Sequence, residues 1–513
     1  MPAVPIEALF SASRPVRRSD LTEWDTDKNP RPLLAKITIT GRATLTEDVS
    51  RARPERYPGH GQPRVVTASE GTIGIVVPDG ATGQPETVRR RSPLRGTAHC
   101  RGDHDPASEG PRVSLREIKP GNRGYLYVNS HPTGCQTVVD RMWQLTPDPA
   151  GDRPGPVALV IGSSAGYGLA ATLVGLRTHR MRGLGIAFEA AATERRTAGA
   201  GWYRTGRTAE LAAEAGADFT FLNGDAFSDG VKDEAADQLA ARFGKIDLLI
   251  YSIAAPRRTD PLTGEVHHSV IKPLGTDYRA KTLVFEDGLP QIGELHLEAA
   301  DEAERDATVQ VMGGADWQRW IEALQSEGLL ADGFQTVALS YVGSDITAPI
   351  YRAGTIGAAK QHLEDTARAI NTRLKGTGHA YTVVAGAAVT QASTAIPSIA
   401  LYTSILHRVT GDSWQTTVDQ AAALWNRLTG HAELGLDDQD RIRLDDWEMA
   451  PGVQAAVRAA WDRIDATTIV TSADTGWFRE QVGQLYGWDV SGVDYEAAAE
   501  TAVPWPASPS SDV

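Results

Sequence analysis

Val157-Ala-Leu-Val-Ile-Gly-Ser-Ser-Ala-Gly-Tyr-Gly168 is the stretch on which the fold turns. Its first five residues form an unbroken apolar run with β-branched members, suited to a short strand buried on both faces. Gly162, Gly166 and Gly168 come immediately after it, and Ala165–Leu176 reads as a helix. Strand, glycine turn and helix in that order make an anion site. Glycine lets the backbone approach a ligand, and the helix start offers unpaired N–H groups at the positive end of its dipole. A glycine triplet alone would serve equally as a tight packing turn. The flanking strand and helix favour a dinucleotide loop.

Downstream, strands and helices alternate, which predicts a parallel sheet. Gly185–Phe188, Phe219–Leu222 and Ile246–Ser252 read as strands, with an amphipathic helix at Val231–Phe243. After a long charged stretch, Thr336–Tyr341 and Tyr381–Ala385 add two more, separated by a helix from about Gly354 to Leu374. Ser398–Tyr486 reads as mainly helical and carries several tryptophans. The expected fold is α/β, a Rossmann-like doubly wound parallel sheet. The glycine spacing G-x-x-x-G-x-G is the variant of short-chain dehydrogenase-like proteins. The core is expected at 114–395, with a helical C-terminal region, 396–513, completing the substrate pocket. No internal repeat is evident.

Residues 1–113 differ in texture. They hold 13 of the 29 prolines and carry 17 Lys and Arg against 14 Asp and Glu, in a chain whose formal charge is −14. Two β-like runs occur, Leu34–Thr40 and Gly71–Val77, but no helical period is sustained. An irregular, largely disordered extension is expected. The other readings are a small β-rich unit, a targeting peptide, or a start codon set too far upstream.

The acidic balance argues against nucleic acid or an anionic membrane as the main partner. No run reaches the ~18–20 apolar residues of a spanning helix, and the first twenty residues lack the apolar core of a secretory signal. Two cysteines, Cys100 and Cys135, imply no disulfide framework and fit a cytoplasmic protein. No metal site is expected.

The strand ends supply the candidate site. Gly162, Ser163, Ser164, Ala165, Gly166 and Tyr167 form the phosphate loop. Phe188 and Glu189 end the second strand, where an acid accepts hydrogen bonds from ribose hydroxyls and repels a 2′-phosphate; that favours NADH over NADPH. A solvated strand-end glutamate is the plainer alternative. Asp225 and Ala226 follow the third strand, Ile253 and Ala254 the fourth, and Ala388, Val389 and Thr390 the sixth. The apolar segment Ala395–Leu406 suits either a wall for an acyl chain or a buried core helix.

Tyr351 and Lys360 follow the fifth strand. A phenol beside an oxygen that gains negative charge can donate a proton, and a neighbouring ammonium would lower the phenol's pKa and hold a nicotinamide ribose. The two are about two and a half turns apart on a regular helix, on opposite faces. They converge only if Tyr351 precedes the helix, which Pro349 and Gly354 allow. By spacing alone, an exposed lysine and a packed tyrosine would be the commoner outcome. Tyr341 is a second candidate acid or substrate contact, or a core tyrosine.

From about Ile118 to Val493 the chain resembles the long, single-chain trans-2-enoyl-CoA and enoyl-acyl-carrier-protein reductases. The resemblance is carried by HPTGC at His131–Cys135, VIGSSAGYG at Val160–Gly168, AGWY at Ala200–Tyr203 and NGDAFSD at Asn223–Asp229. YSIAAP at Tyr251–Pro256, TGEV at Thr263–Val266, VMGG at Val311–Gly314 and VTQAS at Val389–Ser393 extend it. RLDDWE at Arg443–Glu448 and GVDY at Gly492–Tyr495 complete it. It implies NADH as cofactor, Tyr351 as proton donor and Lys360 as cofactor ligand in a Tyr-x8-Lys signature, with Tyr341 touching the substrate. It also implies an enoyl-CoA or acyl-carrier-protein thioester as partner, a role in fatty acid biosynthesis, and a monomer. The family's C-terminal part is sometimes labelled FAD-binding, but no second dinucleotide loop occurs there and no flavin is expected. Two departures stand out: Ala190-Ala191-Ala192 replaces a Lys-Pro-Gly of relatives, which weakens the cofactor-preference argument, and the N-terminal extension has no counterpart. A ketoacyl or other carbonyl reductase would keep its Tyr and Lys four residues apart. A non-catalytic NAD(H) sensor would be expected to have lost one of them.

Overall fold

The computed structural model describes residues 115–506 apart from 150, 152 and 397, together with three short strands at 35–38, 64–67 and 72–76. The chain divides into two units, Met1–His104 and Asp105–Val513. In the first, Ala35–Thr38, Arg64–Thr67 and Thr72–Val76 form an antiparallel sheet with Thr72–Val76 in the middle. Both β-like runs of the sequence thus contain a strand. The expected disorder of the rest of 1–113 lies outside the described residues.

The second unit is built on a seven-stranded sheet: β1 (Val157–Ile161), β2 (Arg182–Ala187), β3 (Phe219–Asn223), β4 (Ile246–Tyr251), β5 (Leu330–Ser340), β6 (Gly378–Val384) and β7 (Arg441–Arg443). The order is β7-β6-β5-β4-β1-β2-β3, and every neighbouring pair is parallel. The Rossmann-like doubly wound sheet is therefore present. Its strand order reverses between β1 and β4, where such sheets open a crevice at the carboxyl ends of the strands.

Alternation along each strand sends neighbouring residues to opposite faces, and each face has its own core. Leu159, Ile161 and Leu249 pack against α3 (Asp229–Arg242), α4 (Ala315–Ser326) and α5 (Thr355–Arg373). Ala158, Val160, Leu248 and Ile250 pack against α1 (Gly166–His179), α2 (Ala200–Glu214) and α7 (Thr417–Leu428). Helix α1 is buried almost all round because α7 covers it from outside. The Trp425 indole donates to the Ala171 carbonyl at 2.8 Å, and a Cβ at Gly175 would lie 2.6 Å from its ring. Only glycine permits that approach.

A third core lies beyond the strand ends. It joins α6 (Ile399–Thr410) to α8 (Pro451–Arg463), to Phe478 and to an antiparallel hairpin, Tyr278–Glu286 with Leu289–Leu297. The hairpin turns at Asp287-Gly288, both with positive φ (48° and 79°), the geometry Asp-Gly favours in a two-residue turn. That dipeptide was the signal hidden in the charged stretch. The C-terminal region is not purely helical either, since it contributes edge strand β7. Strand β5 begins earlier than its apolar run because Gly333 (φ 77°) lies in a register shift that pairs Ile246 with Leu330 but Leu248 with Gln335.

Candidate active site

Two adjoining clefts open at the carboxyl ends of the strands. The first encloses about 360 Å³ and is walled by Gly162, Ser164, Ala165, Gly166, Tyr167, Phe188, Glu189, Asp225, Ala226, Ile253, Ala254 and Thr390, together with residues the sequence reading did not name, such as Gly224 and Phe227. Gly162 has φ 89°, and a Cβ there would meet the Ser252 carbonyl at 2.2 Å. A Cβ at Gly168 would meet the Gly162 carbonyl at 2.0 Å, so loop and helix close on each other only without side chains. Helix α1 starts at Gly166 with no side-chain cap and no acid in its first turn. Its first N–H groups stay available to an anion.

Glu189 is held from both sides. Its backbone N–H donates to Asn223 Oδ1 at 2.8 Å, and Asn223 Nδ2 donates back to its carbonyl at 3.0 Å. Its carboxylate accepts from the Ser164 hydroxyl at 2.8 Å and fills the space a side chain at Gly201 would need. Burial pushes its pKa up, against the Ser164 hydrogen bond and the Arg204 charge. Phe188 is 74% exposed on the same wall. Asp225 caps its own turn at Phe227 N (3.0 Å). The Ala226 carbonyl accepts from Lys232 at 2.7 Å, and Lys232 in turn forms a fully buried pair with Asp316 at 2.8 Å.

The second cleft, about 150 Å³, shares Tyr167, Ile253, Ala254 and Thr390 with the first and brings together Tyr341, Tyr351 and Lys360. Tyr351 lies in turns that precede α5, so it escapes the helical spacing that would have parted it from Lys360. Its ring meets that of Tyr341 edge-on, centroids 4.8 Å apart. The Tyr351 hydroxyl has no hydrogen-bond partner among the described residues. Lys360 donates to the Leu339 carbonyl at 3.2 Å, and burial lowers its pKa to about 8. The phenol of Tyr351 is shifted opposite to expectation. Burial, then the negative charge of Glu448, push it well above 10, and Lys360 does not reverse this. A phenol so placed keeps its proton at neutral pH.

Ser163 and Val389 line neither cleft. The Ser163 side chain is fully buried and donates to the Ile186 carbonyl at 3.2 Å. Val389 lines a separate cleft with Trp414 and Trp477, and Ala388 lies between that cleft and the second one. Ile399 and Thr403 of α6 line the second cleft, while Leu401, Tyr402 and Ile405 are buried in the core.

Sequence reasoning assigned no role to Glu448, the last residue of RLDDWE. It is fully buried, and its carboxylate accepts from Tyr341 and Tyr402, both at 2.7 Å, and from Ala387 N–H at 2.6 Å. No spacing in the chain announces it, because its three partners come from three separate elements.

Residues 196–429 match the family model described as the trans-2-enoyl-CoA reductase catalytic region, and 117–194 match the NAD(P)H binding domain of the same enzymes. Residues 436–498 match a model described as an enoyl reductase FAD binding domain; here that segment supplies β7, α8 and Glu448. An enoyl-acyl-carrier-protein reductase [NADH] of Streptomyces avermitilis is 52% identical over 396 residues, 76% of this chain and 100% of the relative. A trans-2-enoyl-CoA reductase [NADH] of Clostridium perfringens is 40% identical over 74% of this chain and 97% of its own. The crystal structure of Treponema denticola trans-2-enoyl-CoA reductase in complex with NAD superposes with a TM-score of 0.71 at 35% identity, covering 76% of this chain and 100% of that one.

Proposed function

This chain belongs to the trans-2-enoyl-CoA reductase family, and on that premise we propose that Tyr351 is its proton donor, Lys360 its cofactor-binding cation and Tyr341 a wall of its substrate cleft. The protein is an NADH-dependent oxidoreductase that saturates the trans-2 double bond of an enoyl thioester. The observation that carries the residue assignment is the convergence of a free phenol and a buried ammonium in one cleft that adjoins the glycine loop.

The first cleft fits a dinucleotide. Gly162 and Gly168 leave a bare backbone cradle, α1 offers uncapped N–H groups to a pyrophosphate, and Glu189 stands at the end of β2 for the ribose hydroxyls. NADH, when bound, supplies the hydride for the β-carbon. The protein's part is to place the substrate and stabilise charge. Met312, Ile356, Ile396 and Ile399 give the acyl chain an apolar wall and exclude water. As electrons move toward the thioester, negative charge gathers on its oxygen; the Tyr351 hydroxyl donates to that oxygen, supplies the proton that ends on the α-carbon, and is reprotonated from solvent.

Both clefts are lined entirely by residues of Asp105–Val513, so catalysis is assigned to that unit, and one chain is proposed to suffice as a monomer. A cytoplasmic location is proposed from the scarcity of cysteines. Among the described residues no helix is long and apolar enough to cross a membrane.

The test is oxidation of NADH and NADPH by the full chain with crotonyl-CoA, a longer enoyl-CoA, the matching acyl-carrier-protein thioesters and a 3-ketoacyl thioester. Enoyl-dependent oxidation of NADH is expected. Ketone reduction without enoyl reduction would overturn the proposal and favour the carbonyl reductase. In the same assay Glu189→Ala is expected to erode the preference for NADH over NADPH by about tenfold, roughly 1.4 kcal/mol. Unchanged selectivity would remove Glu189 from that role.

A further inference from the structure

Each wall of the catalytic cleft is a separate piece of chain. Tyr341 follows β5, Ala387 follows β6, and Ile399 and Thr403 belong to α6, which also carries Tyr402. One carboxylate touches all three pieces. Glu448 Oε1 accepts from the hydroxyls of Tyr341 and Tyr402, each at 2.7 Å, and Oε2 accepts from Ala387 N–H at 2.6 Å. Gln454 of α8 completes the set, donating to the Tyr402 oxygen at 3.1 Å and to the Glu448 carbonyl at 2.8 Å.

A phenol has one proton. That of Tyr341 is committed to Glu448, so the Tyr341 oxygen can only accept from a ligand. Tyr402 is committed likewise. Tyr351, packed edge-on against Tyr341, keeps its proton uncommitted. A buried carboxylate is expensive unless donors meet its lone pairs, and here three donors take three of about four. We propose that Glu448 is a positioning residue for the reduction: it ties the ends of β5 and β6 to α6 and directs the Tyr341 proton away from the cleft, leaving Tyr351 as the phenol that donates to the thioester oxygen. The proposal rests on the assignment of Tyr351 made above.

The groups facing Glu448 are Tyr341 and Tyr402 by hydrogen bond, Tyr351 and Tyr167 through its charge, and Asp445, whose charge is paired with Arg443 at 2.8 Å; Lys360 lines the same cleft. Burial raises the Glu448 pKa to about 7, against the hydrogen bonds from both phenols and Ala387. Below that pH the acid gains a proton, its oxygens become weaker acceptors, and its new O–H competes with the three donors already directed at it. Activity that depends on the set is therefore lost as pH falls through about 7.

Glu448→Gln in the full chain is the test. Glutamine keeps the volume but has one accepting oxygen: if that oxygen takes the Ala387 N–H, its NH2 faces both phenols and turns the Tyr341 proton back toward the cleft, and if it takes the phenols, its NH2 opposes the Ala387 N–H. With crotonyl-CoA, kcat is expected to fall roughly 10- to 100-fold. NADH affinity should stay within about twofold, and the acid limb of the wild-type pH profile should disappear. Tyr341→Phe should add little to the loss in the double variant, because both changes break one linkage. Wild-type kcat in Glu448→Gln would overturn the proposal. So would a loss accounted for by a lower fraction of folded enzyme, or full additivity with Tyr341→Phe. Tyr351→Phe assayed in parallel separates the two readings. Retained turnover there refutes the donor assignment, whereas a loss there with none in Glu448→Gln refutes the role of Glu448 alone.

Discussion

Tyr351→Phe is expected to lower kcat by roughly 10²- to 10³-fold, about 2.7–4 kcal/mol of transition-state stabilisation, with NADH affinity close to wild type. The effect should be large because the hydroxyl has no second task. It has no hydrogen-bond partner among the described residues, whereas the phenol of Tyr341 donates to Glu448. Removing it costs the fold little. The ring that packs on Tyr341 and the aliphatic residues around it remains, and no buried partner is orphaned. What disappears is a donor aimed at an oxygen that becomes strongly basic only as hydride arrives, so the loss belongs in kcat rather than in binding. The raised pKa of Tyr351 carries a further consequence. Its proton is retained through the neutral and mildly alkaline range, so the phenol itself gives no alkaline limb there. Stopped-flow turnover and NADH titration of the variant measure both halves. Near-normal kcat would end the assignment.

Lys360→Met should cost about 10²-fold in kcat/KM, shared between weaker NADH binding and slower turnover. Methionine preserves most of the buried stem, so a loss reports the ammonium rather than a cavity. Lys360 is the one lysine or arginine on the wall of either cleft among the described residues. Its removal therefore takes the one side-chain positive charge from the walls of both clefts. The pH dependence separates this from simple repacking. Burial lowers the Lys360 pKa to about 8, so the ammonium is present below that pH and lost as pH rises through it. Because kcat/KM reports the free enzyme, wild type is expected to lose efficiency above about pH 8. Lys360→Met should be low and flat across the same range. A variant that keeps the wild-type alkaline limb would show that another group titrates there.

Most of the scaffold is legible in order. The apolar run at Val157–Ile161, the glycines after it and the alternation downstream announce a doubly wound sheet, and six of its seven strands lie where apolar runs place them. Arg441–Arg443 escapes notice because three residues, two of them arginines, carry no β signal. Its place at the sheet edge comes from pairing with β6. The hairpin at Tyr278–Leu297 is masked by its charges, since it is only partly buried and its alternation is blurred.

The chain by itself determined the strand–glycine–helix crevice, its fitness for a dinucleotide and the residue types available for chemistry. These follow from bond-level properties: the side-chain period of strands, the freedom of glycine and the unpaired groups at a helix start. Only the tertiary structure decided which residues meet. Tyr351 joins Lys360 because it leaves the helix before the spacing can part them. Ser163 turns inward although its neighbours line the cleft. The pKa of Tyr351 rises where a nearby ammonium was expected to lower it, since burial and the charge of Glu448, remote in sequence, push it up. Burial and electrostatic environment are sums over neighbours drawn from every part of the chain. No local stretch encodes such a sum, which is why Glu448 stayed without a role until the walls of the cleft were assembled around it.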